Sequence, residues 1–469
     1  MSRISLYIIL IISFIFSVFV DTSFYDEVSE MILFCIAGMV FVSFLFYKDT
    51  NEIISRIYFR PIHLFLFAYA VVSFQIPLDM LLGYPVDDFT IGNLNITPKA
   101  VRVALWGLIA FIAGYIIKKN DGVIAHTNKH TNKYASITIF KILSSLMVIL
   151  MLVFIPTSLL FGGYATSALA ESGFSYLSSW SIVFFSSFFI QYTINAKIEN
   201  KGKEWNIKDL VKDIGWWQNI NLVLYILIIL NIGDRGPMIL LMMAYYLVYL
   251  TVTGICPSKR TLIIGIMAGV IFFSFLGYTK KFRDNNTIFE RISMTVESNP
   301  YEEVEESILP STLELAGSYM CLAYSIEDMQ ISKNYGYGKY QITYILSCIP
   351  FVASFLNLPK PTSTYITHLI QGDLPSYGNG TSITADFYLD GGVLGVVLGM
   401  FIFGYFFRRF EMVLFSKEDT SLLLYCIAFY FSIHCIYIPR SFLLLSLKYS
   451  VWMAVVIYLN QLRYNRNIK

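Results

Sequence analysis

The chain has 469 residues, of which 56% are hydrophobic and 14% charged, with 39 Phe and 33 Tyr and a mean hydropathy of +0.61. A soluble globular chain carries about 25% charged residues, so this composition excludes a disordered protein, a nucleic-acid binder and an ordinary cytosolic enzyme. The net charge of +2 identifies no partner by itself; the placement of the charges does.

A bilayer core about 30 Å thick requires roughly 20 apolar residues from a spanning helix. Twelve runs fit that requirement: 4–20, 31–47, 64–82, 101–117, 137–161, 176–194, 219–232, 237–252, 262–278, 391–407, 421–437 and 442–459. The first follows Arg3 and has no small-residue cleavage site before Asp21, so it reads as a retained helix rather than a signal peptide. With the N-terminus in the cytoplasm, alternate segments carry 22 of the 34 basic residues, among them Lys48, Arg56 and Arg60, the Lys118–Lys141 and Lys197–Lys212 groups, Arg408 and Arg409. The opposite short loops carry only Lys99, Arg102, Arg235 and Arg440. This asymmetry follows the positive-inside rule and predicts an all-α, polytopic membrane bundle of about 12 transmembrane helices, with both termini cytoplasmic.

Three parts follow: a membrane bundle at 1–278, an extracytoplasmic loop at 279–390, and a second membrane part at 391–469. Long loops usually carry function or their own structure. Here Ser311-Thr-Leu-Glu314 is a capping-box signature, followed by an amphipathic stretch to about Met329. A second apolar stretch, 341–356, contains Pro350 and suits an interfacial or re-entrant helix, while 357–379 is rich in Pro, Gly, Thr and Ser and reads as an ordered loop. The acidic run 297–306 reads as a solvated face. Gly391, Gly395 and Gly399 open the tenth span at a spacing that lets another helix approach closely. Six cysteines form no metal-ligand pattern; Cys321 and Cys348 share the loop and could pair in an oxidising compartment, though spacing alone does not establish a bridge.

Charges at membrane depth are costly and therefore functional candidates. Arg235 lies in Asn231-Ile-Gly-Asp-Arg-Gly-Pro237, a turn where Asp234 can pair with it and Gly236 permits the tight bend. A fixed guanidinium there suits an anionic ligand, because Arg binds phosphate in a bidentate manner; the structural alternative is an Asp–Arg pair stabilising the turn. Arg440 lies in a second outer turn, Ile438-Pro-Arg-Ser441, and Lys448 is expected two helical turns deeper on the same side, unless it snorkels to an interface. Lys280, Lys281 and Arg283 follow the ninth span on the cation-poor face, where they either bind substrate or anchor the interface. His434 reads as a core residue. His368 and Asp386 are candidate general bases, with Asp373 and Asp390 nearby in sequence. Cations at a membrane face suit the diphosphate head group of a lipid. Neither a phosphate-loop nucleotide motif nor a zincin motif is present, so neither of those sites is expected.

The chain resembles the Wzy-type polysaccharide repeat-unit polymerases. The likeness rests on Gly233-Asp-Arg-Gly236 opening an apolar helix, on about nine spans followed by one large loop and three more spans, and on Gly380-Thr-Ser-Ile-Thr-Ala-Asp-Phe-Tyr-Leu-Asp-Gly-Gly392 followed by Arg440. The resemblance implies a GT-C-like glycosyltransferase of the bacterial inner membrane, with no metal or cofactor. Such an enzyme acts on undecaprenyl-diphosphate-linked oligosaccharide at the periplasmic face. It moves the growing glycan onto the non-reducing end of a new lipid-linked repeat, with a chain-length regulator as a partner. Carried onto this sequence, it implies that Arg235 and Arg440 hold diphosphate, with Arg283 a third match. An O-antigen ligase and a lipid-linked oligosaccharide flippase are the alternatives. The charge-poor spans and the large outer loop argue against a flippase, and no repeat relates the two halves.

Overall fold

Apolar runs removed from water satisfy their backbone groups internally, which favours helices, and no strand occurs among the described residues. A computed structural model of the chain describes residues 1–49, 57, 59–86, 88–117, 134–154, 173–201, 205–232, 234–254, 260, 307–309, 312–349, 352–356, 358–375, 378–415 and 420–468. In chain order its longer helices are α1 (Arg3–Phe19), α2 (Glu27–Leu45), α3 (Pro61–Leu81), α4 (Thr97–Ile117), α5 (Thr138–Phe154), α6 (Gly173–Ile198), α7 (Ile207–Ile214), α8 (Trp216–Ile232), α9 (Gly236–Thr253), α10 (Tyr319–Ser332), α11 (Lys339–Leu346), α12 (Thr362–Gln371), α13 (Ile383–Phe415), α14 (Leu422–Ile433) and α15 (Leu445–Ile468). Among the described residues, six helical segments are long and apolar enough to cross a membrane, within α2, α3, α4, α6, α9 and α13, and a seventh arises if α7 and α8, bent by 97° at their junction, form one span. The helices α1, α5 and α14 are apolar but shorter. The expected span 262–278 and the acidic run 297–306 lie outside the described residues.

The chain divides into two compact units. The first comprises Met1–Ile124, Val304–Met412 and Cys435–Lys448; the second comprises Ala125–Glu303, Val413–His434 and Tyr449–Lys469.

In the first unit α3 is apolar on nearly every side and correspondingly buried. One end is fastened by a buried ion network. Arg60 Nη1 lies 3.4 Å from Asp49 Oδ2 and 3.3 Å from Glu411 Oε2. Arg408 binds Asp49 through both of its terminal nitrogens, and both guanidiniums donate to the Tyr115 hydroxyl. Tyr115 in turn donates to Glu411. Two cations and two carboxylates cancel, which makes their burial tolerable; removing one member of such a set typically costs about 3–5 kcal/mol. The other end of α3 carries Gln75 and Asp79, one turn apart and both buried. Gln75 Nε2 donates to Ser307 Oγ at 2.8 Å and to Leu309 O at 3.0 Å, and Asp79 accepts from Ser307 Oγ at 2.7 Å and from Ile308 N at 2.9 Å. These bonds seat the start of the loop region on α3.

The α4–α13 contact brings backbone against backbone. A Cβ at Gly404 would sit 2.0 Å from Phe111 O, and a Cβ at Gly114 would sit 2.0 Å from Phe401 O. Small residues permit this approach where lipid offers no hydrophobic drive to bring helices together. The expected straight span 391–407 is instead the long arm of α13, because the backbone leaves helical values at Gly391 and Gly392 and the chain folds back. Gly395 and Gly399 then accept the backbone and ring of Phe387 from the short arm, 383–390. The glycine stripe therefore serves a contact within one helical element.

In the second unit α6 packs against α5 and α9. Trp180 stacks on Trp452 at 5.2 Å between ring centroids. The amphipathic α7 is capped by Asn206, which accepts from Lys208 N and Asp209 N while Asp209 accepts from Asn206 N. It ends at Gly215, whose φ of +92° suits glycine.

Replacing Gly404 or Gly114 with Ala is expected to lower stability by about 1–3 kcal/mol or more, read as a lower melting temperature of the detergent-solubilised protein. Gly38→Ala, where nothing lies within 4 Å of the added Cβ, is the control and should show no loss.

Candidate functional site

The first unit gathers Arg440, Lys448, His368 and Asp386, whereas Arg235 belongs to the second unit. Lys280, Lys281 and Arg283 lie outside the described residues.

Asp386 is the best-organised of these groups. Ser382 caps the start of α13 by accepting from Ala385 N at 3.2 Å, which places Asp386 in the first turn of the short arm. The carboxyl is 1% exposed. Its Oδ1 accepts from the hydroxyls of Thr362 and of Thr381, the latter at 2.7 Å. Its Oδ2 has no partner among the described residues. Thr362 gives its only hydroxyl proton to Asp386, so the Tyr344 hydroxyl donates to Thr362 Oγ1 at 2.9 Å and accepts from Thr362 N at 3.0 Å. Burial, with the charge of Asp386 nearby, holds the Tyr344 phenol above its ordinary range, so this donor stays protonated. A buried acceptor left without a donor costs about 1–3 kcal/mol, more when charged. A hydroxyl brought to Oδ2 would remove that cost.

Asp390 lies one turn further along the same arm and is 6% exposed. It caps α11 from outside: Oδ1 accepts from Tyr340 N and Oδ2 from Gln341 N, each at 3.3 Å. The preceding residues are tied to the same arm, with Gly336 N donating to Leu389 O at 2.8 Å and Tyr337 N to Asp390 O at 2.7 Å. The apolar stretch 341–356, expected as an interfacial or re-entrant helix, is divided between α11 and a short helical turn at Val352–Phe355. Asp373 is exposed.

His368 stands apart from Asp386. Its Nδ1 lies 3.1 Å from Gly372 O at the C-terminal end of α12, while Thr362 at the other end holds Asp386. Six residues of helix separate these ends by about 9 Å. The helix itself falls inside 357–379, which the sequence reading treats as a loop. Pro361 before its first residue and Gly372, with φ +81°, after its last are its start and stop signals.

Arg440 closes the short turn Ile438–Arg440, which packs on α3. Its Nη1 lies 3.6 Å from Glu314 Oε1, with the two side chains 29% and 34% exposed. Glu314 forms this ion pair, while Ser311, the other half of the expected capping box, lies outside the described residues; the Thr312 hydroxyl donates to Gln75 Oε1 at 2.6 Å. A pair this long and this exposed contributes less than about 1 kcal/mol, so an incoming anion can displace Glu314 at little cost. Lys448 lies in the first turn of α15, not two turns down a span, because residues 441–444 are not helical. Phe442, in that connection, stacks on Tyr344 with ring centroids 4.0 Å apart and planes 6° from parallel.

Cys321 links the two parts. Its thiol is fully buried and feels the charges of both Arg440 and Asp386, although burial dominates and pushes it up to about 12. Cys321 and Cys348 are free thiols, so the bridge that their shared loop allowed is absent. Burial also raises the Cys348 thiol, which feels Lys448. An apolar groove of about 290 Å³ runs between α2 and α3, lined by Phe34, Phe41, Phe67 and Phe74 and closed by Gln75, Ile308 and Leu309.

In the second unit Arg235 precedes α9, with Pro237 in the first turn. Asp234 Oδ1 accepts from Gly236 N at 3.0 Å, an Asx turn that fixes the entry to the helix. His434 ends α14, its ring 5.7 Å from that of Tyr430.

Glu314, Thr362, Thr381 and Tyr344 are not identifiable as site residues from the sequence. Thr381 lies in the Gly380–Gly392 motif without standing out in it, and the signal at Glu314 points to a cap.

A family model described as "O-antigen polysaccharide polymerase Wzy" matches residues 2–464. No curated protein and no solved structure matches the chain.

Asp390→Ala is expected to release the start of α11. Hydrogen exchange read by mass spectrometry should then quicken at the Tyr340 and Gln341 amides, while exchange in α4 stays as in the parent. Unchanged exchange at 340–341 would show that the cap does not hold this helix.

Proposed function

Since the chain belongs to the Wzy family of O-antigen polysaccharide polymerases, we propose that it joins lipid-linked oligosaccharide repeats into a longer glycan, with its reaction centre in the first unit. The supporting observation is that one unit holds an apolar groove, a loosely paired guanidinium and a buried carboxylate with an open oxygen. On this reading the isoprenoid chain of the donor lies in the groove. Its undecaprenyl diphosphate exchanges with Glu314 on Arg440, and Lys448 adds a second cation. The non-reducing-end hydroxyl of the acceptor repeat donates its hydrogen bond to Asp386 Oδ2. As the acceptor's hydroxyl oxygen attacks the anomeric carbon of the donor, its proton passes to Asp386. The glycosidic bond to the donor lipid breaks, and the electron pair leaves with the diphosphate. Arg440 stabilises the charge that develops on the leaving group. The Tyr344–Thr362–Asp386 chain of hydrogen bonds keeps Oδ1 occupied and Oδ2 free.

This centre belongs to the periplasmic face of the inner membrane, the face that the basic-residue pattern assigns to residues 279–390. The same pattern supports the reading of about twelve spans with both termini in the cytoplasm. The family resemblance supports a GT-C-like bundle and a chain-length regulator as partner. Asp386 is preferred to His368 as the base, because the His368 ring is engaged with its own helix end. Arg235 is the candidate anion ligand of the second unit and is tested separately.

Asp386→Asn and Arg440→Ala should each leave the protein inserted and reduce surface glycan to a single repeat on its anchor, a loss of at least about 100-fold in polymer for the base. Arg235→Ala should do the same if Arg235 binds diphosphate. The decisive assay incubates purified protein with lipid-linked repeats and resolves chain length on a gel. Normal ladders from both the Asp386 and the Arg440 variants would sink the assignment. A gene deletion that removed every surface repeat would instead indicate translocation. A reporter fused after Asp373 should report the extracytoplasmic side.

A further inference from the structure

The short arm of α13 holds α11 at two points, and what α11 presents beyond them has no role in the steps above. Asp390 binds its first amides, and Asp386 reaches Tyr344 through Thr362. Around the first of these points lies a cluster of tyrosines. Tyr335 and Tyr337 have ring centroids 6.4 Å apart, and Tyr335 also meets Tyr388 at 6.3 Å. Tyr340 and Tyr365 are 6.4 Å apart, and the Tyr365 hydroxyl donates to Asp328 Oδ2 at 2.6 Å.

Tyr337 is the informative member. It is 82% exposed, and its φ of +51° is one that a bulky residue rarely adopts. Glycines stand on both sides of it, yet the left-handed position itself carries an aromatic ring. Its amide is bonded to the carbonyl of Asp390, so the ring is displayed from a fixed backbone. Conformations of this kind persist where the surrounding structure dictates them, and they cluster at binding sites.

We propose that Tyr335, Tyr337, Tyr340 and Tyr365, with the Asp328 carboxylate, form a subsite for the glycan chain, in which pyranose rings stack on the exposed aromatic faces and sugar hydroxyls bond to the phenols and the carboxylate. The chemistry of the cluster fits a saccharide: flat apolar faces for the C–H side of the ring, edged by hydrogen-bonding groups. Its position fits as well. Tyr340 and Tyr344 are one turn apart on α11, about 6 Å along the axis, and Tyr344 leads through Thr362 to Asp386. The platform is thus joined to the Asp386 carboxylate by a short chain of contacts. Tyrosines also anchor proteins at lipid interfaces, but that use requires no strained backbone and no carboxylate within the cluster.

This inference rests on the polymerase reading, and its test separates the two. The protein would be studied as the full chain in nanodiscs. The probe is the lipid-free polymer released by mild acid from the host's own surface glycan, with dextran as the control. Tyr337→Gly deletes the ring while relieving the backbone; Tyr337→Trp keeps an aromatic face. Polymer binding to the Gly variant should weaken about 2- to 10-fold, the range expected for one aromatic contact, and its product ladder should shift to shorter chains. The Trp variant should retain both binding and length. If the parent extends lipid-linked repeats while the Gly variant matches it in binding and ladder, the subsite is wrong and the polymerase reading stands. If the Gly variant instead loses affinity for anionic phospholipid vesicles and keeps polymer binding, the tyrosines are interface anchors and the proposal is overturned. A parent protein that neither binds polymer nor extends repeats would overturn both readings.

Discussion

Polar groups that leave water must find their partners within the protein, and helix α3 shows how far that requirement shapes this chain. At one end, two guanidiniums and two carboxylates neutralise one another around Tyr115. At the other end, Gln75 and Asp79 are buried and bind Ser307, Ile308, Leu309 and Thr312. The loop region is thus seated by hydrogen bonds that α3 must satisfy. The two residues after Thr312 bring the chain to Glu314, and so to Arg440.

The same requirement accounts for the contrast between the two acids of the α13 short arm. Asp390 has both oxygens engaged by backbone amides and holds α11 in place. Asp386 has one oxygen engaged by two hydroxyls and the other without a partner among the described residues. Two carboxylates one turn apart therefore have different work: one is spent on architecture and the other keeps an acceptor in reserve. The Arg440–Glu314 pair is similar in kind. It is too long and too exposed to stabilise the fold much, which leaves the guanidinium available to an anion.

Much of the helical framework was legible in the sequence. The junction between α8 and α9 falls at Asp234–Arg235, where the short seventh run, the Gly-Asp-Arg-Gly turn and Pro237 place it. Apolar length and turn residues are local properties, and they read directly. What did not read were partnerships across the sequence. Arg60 and Arg408 look like flanking charges until Asp49 and Glu411 are found beside them. Glu314 has the spacing of a cap and the partner of a site residue. The helix α12 is obscured by composition, since four of its ten residues are Thr or Ser, although its Pro and Gly boundaries are visible. The place of Lys448 in the first turn of α15 does not show in hydropathy, which does not register the break before Leu445.

The reversal at Gly391 and Gly392 bears on how the acids reach their positions. Residues 307–346 come from far along the chain and must give up considerable freedom before they dock, whereas the arm carrying Asp386 and Asp390 is joined to its long helix by two glycines. Closing so short a connection costs little chain entropy. The arm that carries both carboxylates is thus laid against its own long helix at little entropic cost, and the segments that supply their partners have that local fold to dock on.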